Sequence, residues 1–146
     1  MRFGSYINLI QGNNFFEGDY IPDEIDLIDD SIALPAMIYP ALTFDYNIGM
    51  LFAMFNDEDV RDETKRKEML ELLDLKKSIE KSKDLSQFIS YGTADIMVGE
   101  GPKEYVDVAK ERKIDITEVV AENANHAFGQ KYYMEKYLEW VKNIFK

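Results

Sequence analysis

The chain has 146 residues, a hydrophobic fraction of 46% and a formal net charge of −11. That is one domain's length with enough apolar content for a packed core, which excludes a disordered chain. Such an acidic surface repels phosphate backbones and anionic lipid, so no nucleic-acid or membrane-surface partner is expected.

From the start, Ser5-Tyr6-Ile7-Asn8-Leu9-Ile10-Gln11 reads as a short helix stopped by Gly12. Residues 12–31 read as irregular and acidic, with turns at Asn13-Asn14, Gly18 and Pro22. Residues 36–39 (Ala36-Met37-Ile38-Tyr39) read as a buried strand between Pro35 and Pro40, since proline is tolerated at strand ends but not in their middle. Residues 57–73 read as one helix capped by Asp57 or Asp59, with Asp62/Arg66 and Glu63/Lys67 as i,i+4 pairs. Its apolar end is Met69, Leu70, Leu72 and Leu73.

A second strand is expected over residues 87–91. Pro102 suits the first turn of a helix running to about Lys113, with Tyr105, Val106 and Ala109 facing inward. Residues 114–120 are rich in β-branched side chains and predict a third strand. The last helix carries Tyr133, Tyr137, Trp140, Val141 and Ile144 on one face. No internal repeat is present.

Strand, helix and strand over residues 87–120 make a βαβ unit, so the two strands should be parallel. Parallel neighbours lie about 4.8 Å apart and end on the same edge of the sheet, where open α/β sheets place their ligands. Asp95 follows the first strand and His126, the chain's single histidine, follows the second. A carboxylate there can accept the imidazole Nδ1–H, fix the tautomer and stabilise an imidazolium. By spacing alone, a lone loop histidine is more often a surface residue, and an aspartate after a Gly-Thr-Ala turn more often a turn residue or helix cap.

Other constellations carry less chemistry. Asp23 to Asp30 and Asp57-Glu58-Asp59 lack the spacing of a calcium loop and read as solvated acidic surface. Without cysteine and with one histidine, no zinc site, disulfide or other cofactor is expected. No apolar run approaches the ~18 residues of a membrane span. Met1-Arg2-Phe3-Gly4 lacks the apolar core of a signal peptide, so the expected compartment is the cytoplasm.

The wording of two turns adds to the spacing. Phe88-Ile89-Ser90-Tyr91-Gly92-Thr93-Ala94-Asp95-Ile96-Met97-Val98 resembles the acid-bearing turn of α/β-hydrolase fold esterases and related serine peptidases. Ala121-Glu122-Asn123-Ala124-Asn125-His126-Ala127-Phe128-Gly129 resembles that family's histidine turn, and Tyr137-Leu138-Glu139-Trp140 its closing helix. Ala36-Met37-Ile38-Tyr39-Pro40-Ala41-Leu42 is similar to a core strand of acetyl-esterase relatives, which often ends in Tyr-Pro. The resemblance covers about residues 24–146 and keeps the family's order of acid before histidine. It implies that Asp95 is the triad acid and His126 the general base.

Departures from the family pattern matter as much. Tyr91 stands where the family often has histidine, and Asn123, Asn125 and Ala127 stand where relatives tend to have glycine. Asn125 can adopt left-handed backbone angles at modest cost, whereas Ala127 pays more. The Gly-x-Ser-x-Gly nucleophile elbow is absent, as is the His-Gly-Gly loop that donates an oxyanion N–H. Arg2-Phe3-Gly4-Ser5-Tyr6-Ile7-Asn8-Leu9 resembles an eroded elbow, with Ser5 one place past the nucleophile position and too few residues before it for a strand.

The resemblance therefore implies an α/β fold: a partial α/β-hydrolase sheet of about three mainly parallel strands with flanking helices. Residues 1–146 would be a single domain, the C-terminal portion of such a hydrolase. The implied lineage is carboxylic-ester hydrolase, truncated or inactive, with a small ester as substrate if active. The alternative is a non-catalytic binding or regulatory remnant. It would pair through its open sheet edge with a second copy or with a missing N-terminal half.

Overall fold

The computed structural model describes residues 34–146, so the helix and turns expected over residues 5–31, and Ser5, lie outside the described residues. Strand β1 (Ala36–Ile38) leads through a 3-10 helix (Ile48–Ala53) to α1 (Asp57–Arg61) and α2 (Glu63–Leu72). A second 3-10 helix (Leu75–Ser82) precedes β2 (Gln87–Gly92), α3 (Gly101–Glu111) and β3 (Ile116–Ala121). A short 3-10 turn (Gln130–Tyr132) then opens α4 (Met134–Ile144).

The three strands form one parallel sheet in the order β1-β2-β3. Ala36 is in register with Phe88, and Gln87 with Ile116. The fold is α/β, a parallel sheet with flanking helices, as the βαβ spacing predicts. Each parallel step needs a crossover, and the crossovers leave the central strand covered on both faces. Every residue of β2 is buried. On one face Ile89 and Tyr91 pack with Met37, Leu75, Ile79, Tyr105, Val106 and Ala109. On the other, Phe88 meets Tyr137 and Trp140 of α4, each with ring centroids 5.5 Å away.

Several expectations are corrected. β1 lies at the edge of the sheet among the described residues, and the strand expected to be buried over residues 36–39 is buried only at Met37, with Ala36 exposed. It ends at Ile38 because Tyr39 turns to φ +40°. The helix expected over 57–73 is two helices. Asp62 is extended (φ −70°, ψ 120°); its N–H closes α1 on Glu58 O and its side chain accepts from Lys65 N, capping α2. Aspartate favours caps over helix interiors because its short carboxylate competes for nearby N–H groups. Capping takes Asp62 away from Arg66, which donates to Val60 O instead (2.9 Å). In that helix pair Asp57–Arg61 is an i,i+4 ion pair, at 4.0 Å. At the other end of the chain, Ile144 is exposed, while Trp140 is buried and donates to Ser86 Oγ.

Tyr105 ties the core together. It is fully buried and donates to Gln87 Oε1 at 2.8 Å. Burial pushes its phenol up to about 12, from an ordinary 10.0. A raised folded-state pKa gives stability that is full below 10.0 and is lost as pH climbs toward 12. Two pH units correspond to roughly 2–3 kcal/mol. Tyr105→Phe should cost about 1 kcal/mol at neutral pH, by leaving Gln87 Oε1 without its donor. It should also flatten the alkaline decline. Urea unfolding of both proteins between about pH 8 and about pH 11 checks this: the parent must lose stability more steeply than the variant.

Candidate active site

Because β2 and β3 are parallel and paired through Gly92–Ala121, the turns after them leave the sheet side by side. Backbone bonds then stitch the two turns together. Thr93 N donates to Ala121 O, and Ala94 N to Ala124 O, both at 3.1 Å. Asn123 N donates to Thr93 Oγ1 at 2.7 Å. Gly92 permits this approach: a Cβ there would lie 2.2 Å from Ala124 O.

The stitched turns bring together the two residues singled out in the sequence. His126 Nδ1 lies 2.7 Å from Asp95 Oδ2. The Asp95 side chain is fully buried, while that of His126 is 29% exposed. Asp95 Oδ1 accepts from Met97 N at 2.9 Å, so each carboxylate oxygen has a donor. Burying a carboxylate without such partners would be costly. A carboxylate only accepts, so Nδ1 carries the shared proton, and in the neutral ring that leaves the lone pair on Nε2. An imidazole held this way can take a proton at Nε2 and be stabilised as imidazolium by the buried carboxylate.

Backbone strain sits beside the pair. Left-handed angles occur at Asn123 (φ +56°) and Ala127 (φ +59°), so the asparagine that takes them is Asn123 rather than the expected Asn125. Asn123 tolerates them more easily than Ala127, for which they cost about 1–2 kcal/mol. Tyr91 leaves the pair alone: its hydroxyl donates to Glu118 at 2.6 Å. Burial and the neighbouring Glu118 carboxylate raise the Tyr91 phenol well above its ordinary range.

Tyr39 belongs to the site and was not singled out from the sequence as more than a strand end. Its ring centroid lies 5.1 Å from that of His126, edge to face at 62°. Nothing local signals the contact, which spans the full width of the sheet order. Among the described residues no hydroxyl is hydrogen-bonded to His126, and Ser90 Oγ is fully buried without a partner, out of reach of any substrate. No group of three or more His, Cys, Asp or Glu residues among the described residues could hold a metal ion. Also among the described residues, no helix is long and apolar enough to cross a membrane.

No protein-family model matches the chain, and no curated protein matches it by sequence. Among solved structures it is similar to an esterase of Pyrococcus furiosus, at 18% identity and a TM-score of 0.51. The match covers 78% of this chain and 45% of the esterase, so the chain spans less than half of that protein's length. At this identity the likeness is one of fold.

Proposed function

We propose that this chain is a truncated or inactive C-terminal portion of an ester-hydrolase-type α/β domain, retaining Asp95 as the acid and His126 as the general base of a lineage that acts on small acyl or acetyl esters. The observation that carries the reading is the 2.7 Å contact between His126 Nδ1 and Asp95 Oδ2 at the carboxyl edge of a parallel sheet. The order of acid before histidine and the fold likeness to an esterase support it.

In the reaction of a complete domain of this type, an imidazole placed as His126 takes, at Nε2, the proton of a nucleophilic hydroxyl as its oxygen attacks the ester carbonyl. The imidazolium, steadied by Asp95, returns that proton to the leaving alkoxide as the ester C–O bond breaks. Water then enters through the same base and releases the acid, restoring the hydroxyl. The sequence lacks the Gly-x-Ser-x-Gly elbow and the loop that would donate to the oxyanion. Loss of one oxyanion donor raises the barrier by ~3 kcal/mol, and loss of the nucleophile removes the covalent route.

The chain by itself should therefore hydrolyse a short-chain p-nitrophenyl ester no faster than its His126→Ala variant does. Turnover that is abolished by both Ser5→Ala and His126→Ala would overturn the inactive form of the proposal and make Ser5 the nucleophile.

A further inference from the structure

We infer that Tyr39 is a positioning residue for His126: it fixes the tilt of the imidazole, so that Nε2 points out of the carboxyl edge toward substrate. The inference rests on the Asp95–His126 reading above and deepens it.

One hydrogen bond holds one point of the His126 ring, the bond from Nδ1 to Asp95. A ring held at one point can still rock about that bond. The edge-to-face contact of Tyr39, at 5.1 Å between centroids, supplies a second hold. Tyr39 is itself braced. Its ring meets Phe128 at 5.4 Å, and Phe128 meets Tyr132 and Tyr133 at 5.7 and 6.0 Å. Its N–H donates to Ser90 O at 2.6 Å, which anchors its backbone on the central strand.

The backbone of Tyr39 is what aims the ring. In an extended strand, Tyr39 would share a face with Met37, which packs among Ile89, Tyr91 and Tyr105. At φ +40° it leaves that face and packs instead with Ala121, Ala124 and Phe128, beside His126. A left-handed angle at a bulky residue persists only where the surroundings impose it, and such residues gather at functional sites.

Nitrogen-15 and proton NMR of the full chain tests this, because a single histidine gives a single set of imidazole signals. In the parent protein, Overhauser contacts should connect the Tyr39 and His126 rings. Tyr39→Phe should keep those contacts and a slowly exchanging Nδ1–H. Tyr39→Leu, with the amide spectrum of a folded protein, should speed Nδ1–H exchange about fivefold, the loss expected for one aromatic pair. Unchanged exchange in a folded Tyr39→Leu protein would reduce Tyr39 to packing and overturn the inference. If Tyr39→Leu does not fold, the parent decides: absence of contacts between the two rings overturns it. A parent without any Nδ1–H signal would instead bring down the Asp95–His126 reading itself, so the two failures are told apart.

Discussion

Gly92→Ala should destabilise the protein by about 3 kcal/mol or more and pull His126 away from Asp95. The added Cβ would sit 2.2 Å from Ala124 O and 2.9 Å from Ala124 C. Both are backbone atoms, so no side-chain rotation relieves the clash. Either β2 shifts against β3 or the turn carrying His126 moves outward. The bond from Ala94 N to Ala124 O would go with it. Urea denaturation should show the midpoint falling well below that of the parent, and crystallography or NMR should show a longer His126–Asp95 separation. A variant of parental stability would mean that the two turns are not stitched as described.

The second large effect is at Asp95. Asp95→Ala should cost about 3 kcal/mol, because it removes a buried, charge-assisted bond to His126 and leaves Met97 N–H without its side-chain acceptor. Asp95→Asn separates stability from chemistry. The amide oxygen can still accept from Met97 N, so about half of that cost should remain. Its NH₂ group, however, must face Nδ1, and two donors cannot pair. The imidazole proton should therefore move to Nε2, leaving no lone pair there to act as base. In serine-protease triads the same change lowers turnover about 10⁴-fold. Thermal or urea unfolding reads the first effect, and the histidine nitrogen shifts read the second.

The βαβ core was legible in the sequence because its signals are local. Tyr105, Val106 and Ala109 follow Pro102 at helical spacing, and all three are fully buried in α3. Residues 87–91 and 114–120 foretell β2 and β3 to within two residues at either end. Parallel pairing then follows from chain connectivity, and with it the meeting of Asp95 and His126 at one edge.

Most of what escaped the sequence depended on competition or on distant contacts. Asp62 fits a helix surface or a cap equally well, and only the surrounding chain decides between them; here the cap wins and the helix breaks. The 3-10 helix Leu75–Ser82 carried a readable signal, since Leu75, Ile79 and Ser82 are buried at helical spacing. Tyr39 could not be placed from spacing, because its partner is 87 residues later and reached only through the strand order. Ala127 was marked by its mismatch with glycine, and its left-handed angle follows that mark.

The central claim is that Asp95 holds His126 as a base with Nε2 free. The nitrogen-15 shifts of the one imidazole test it directly, recorded on the parent chain with the ring neutral. The account predicts a single tautomer: a protonated Nδ1 with a slowly exchanging hydrogen, and an unprotonated Nε2. A proton resident on Nε2, or averaged between the two nitrogens as in free histidine, would contradict it.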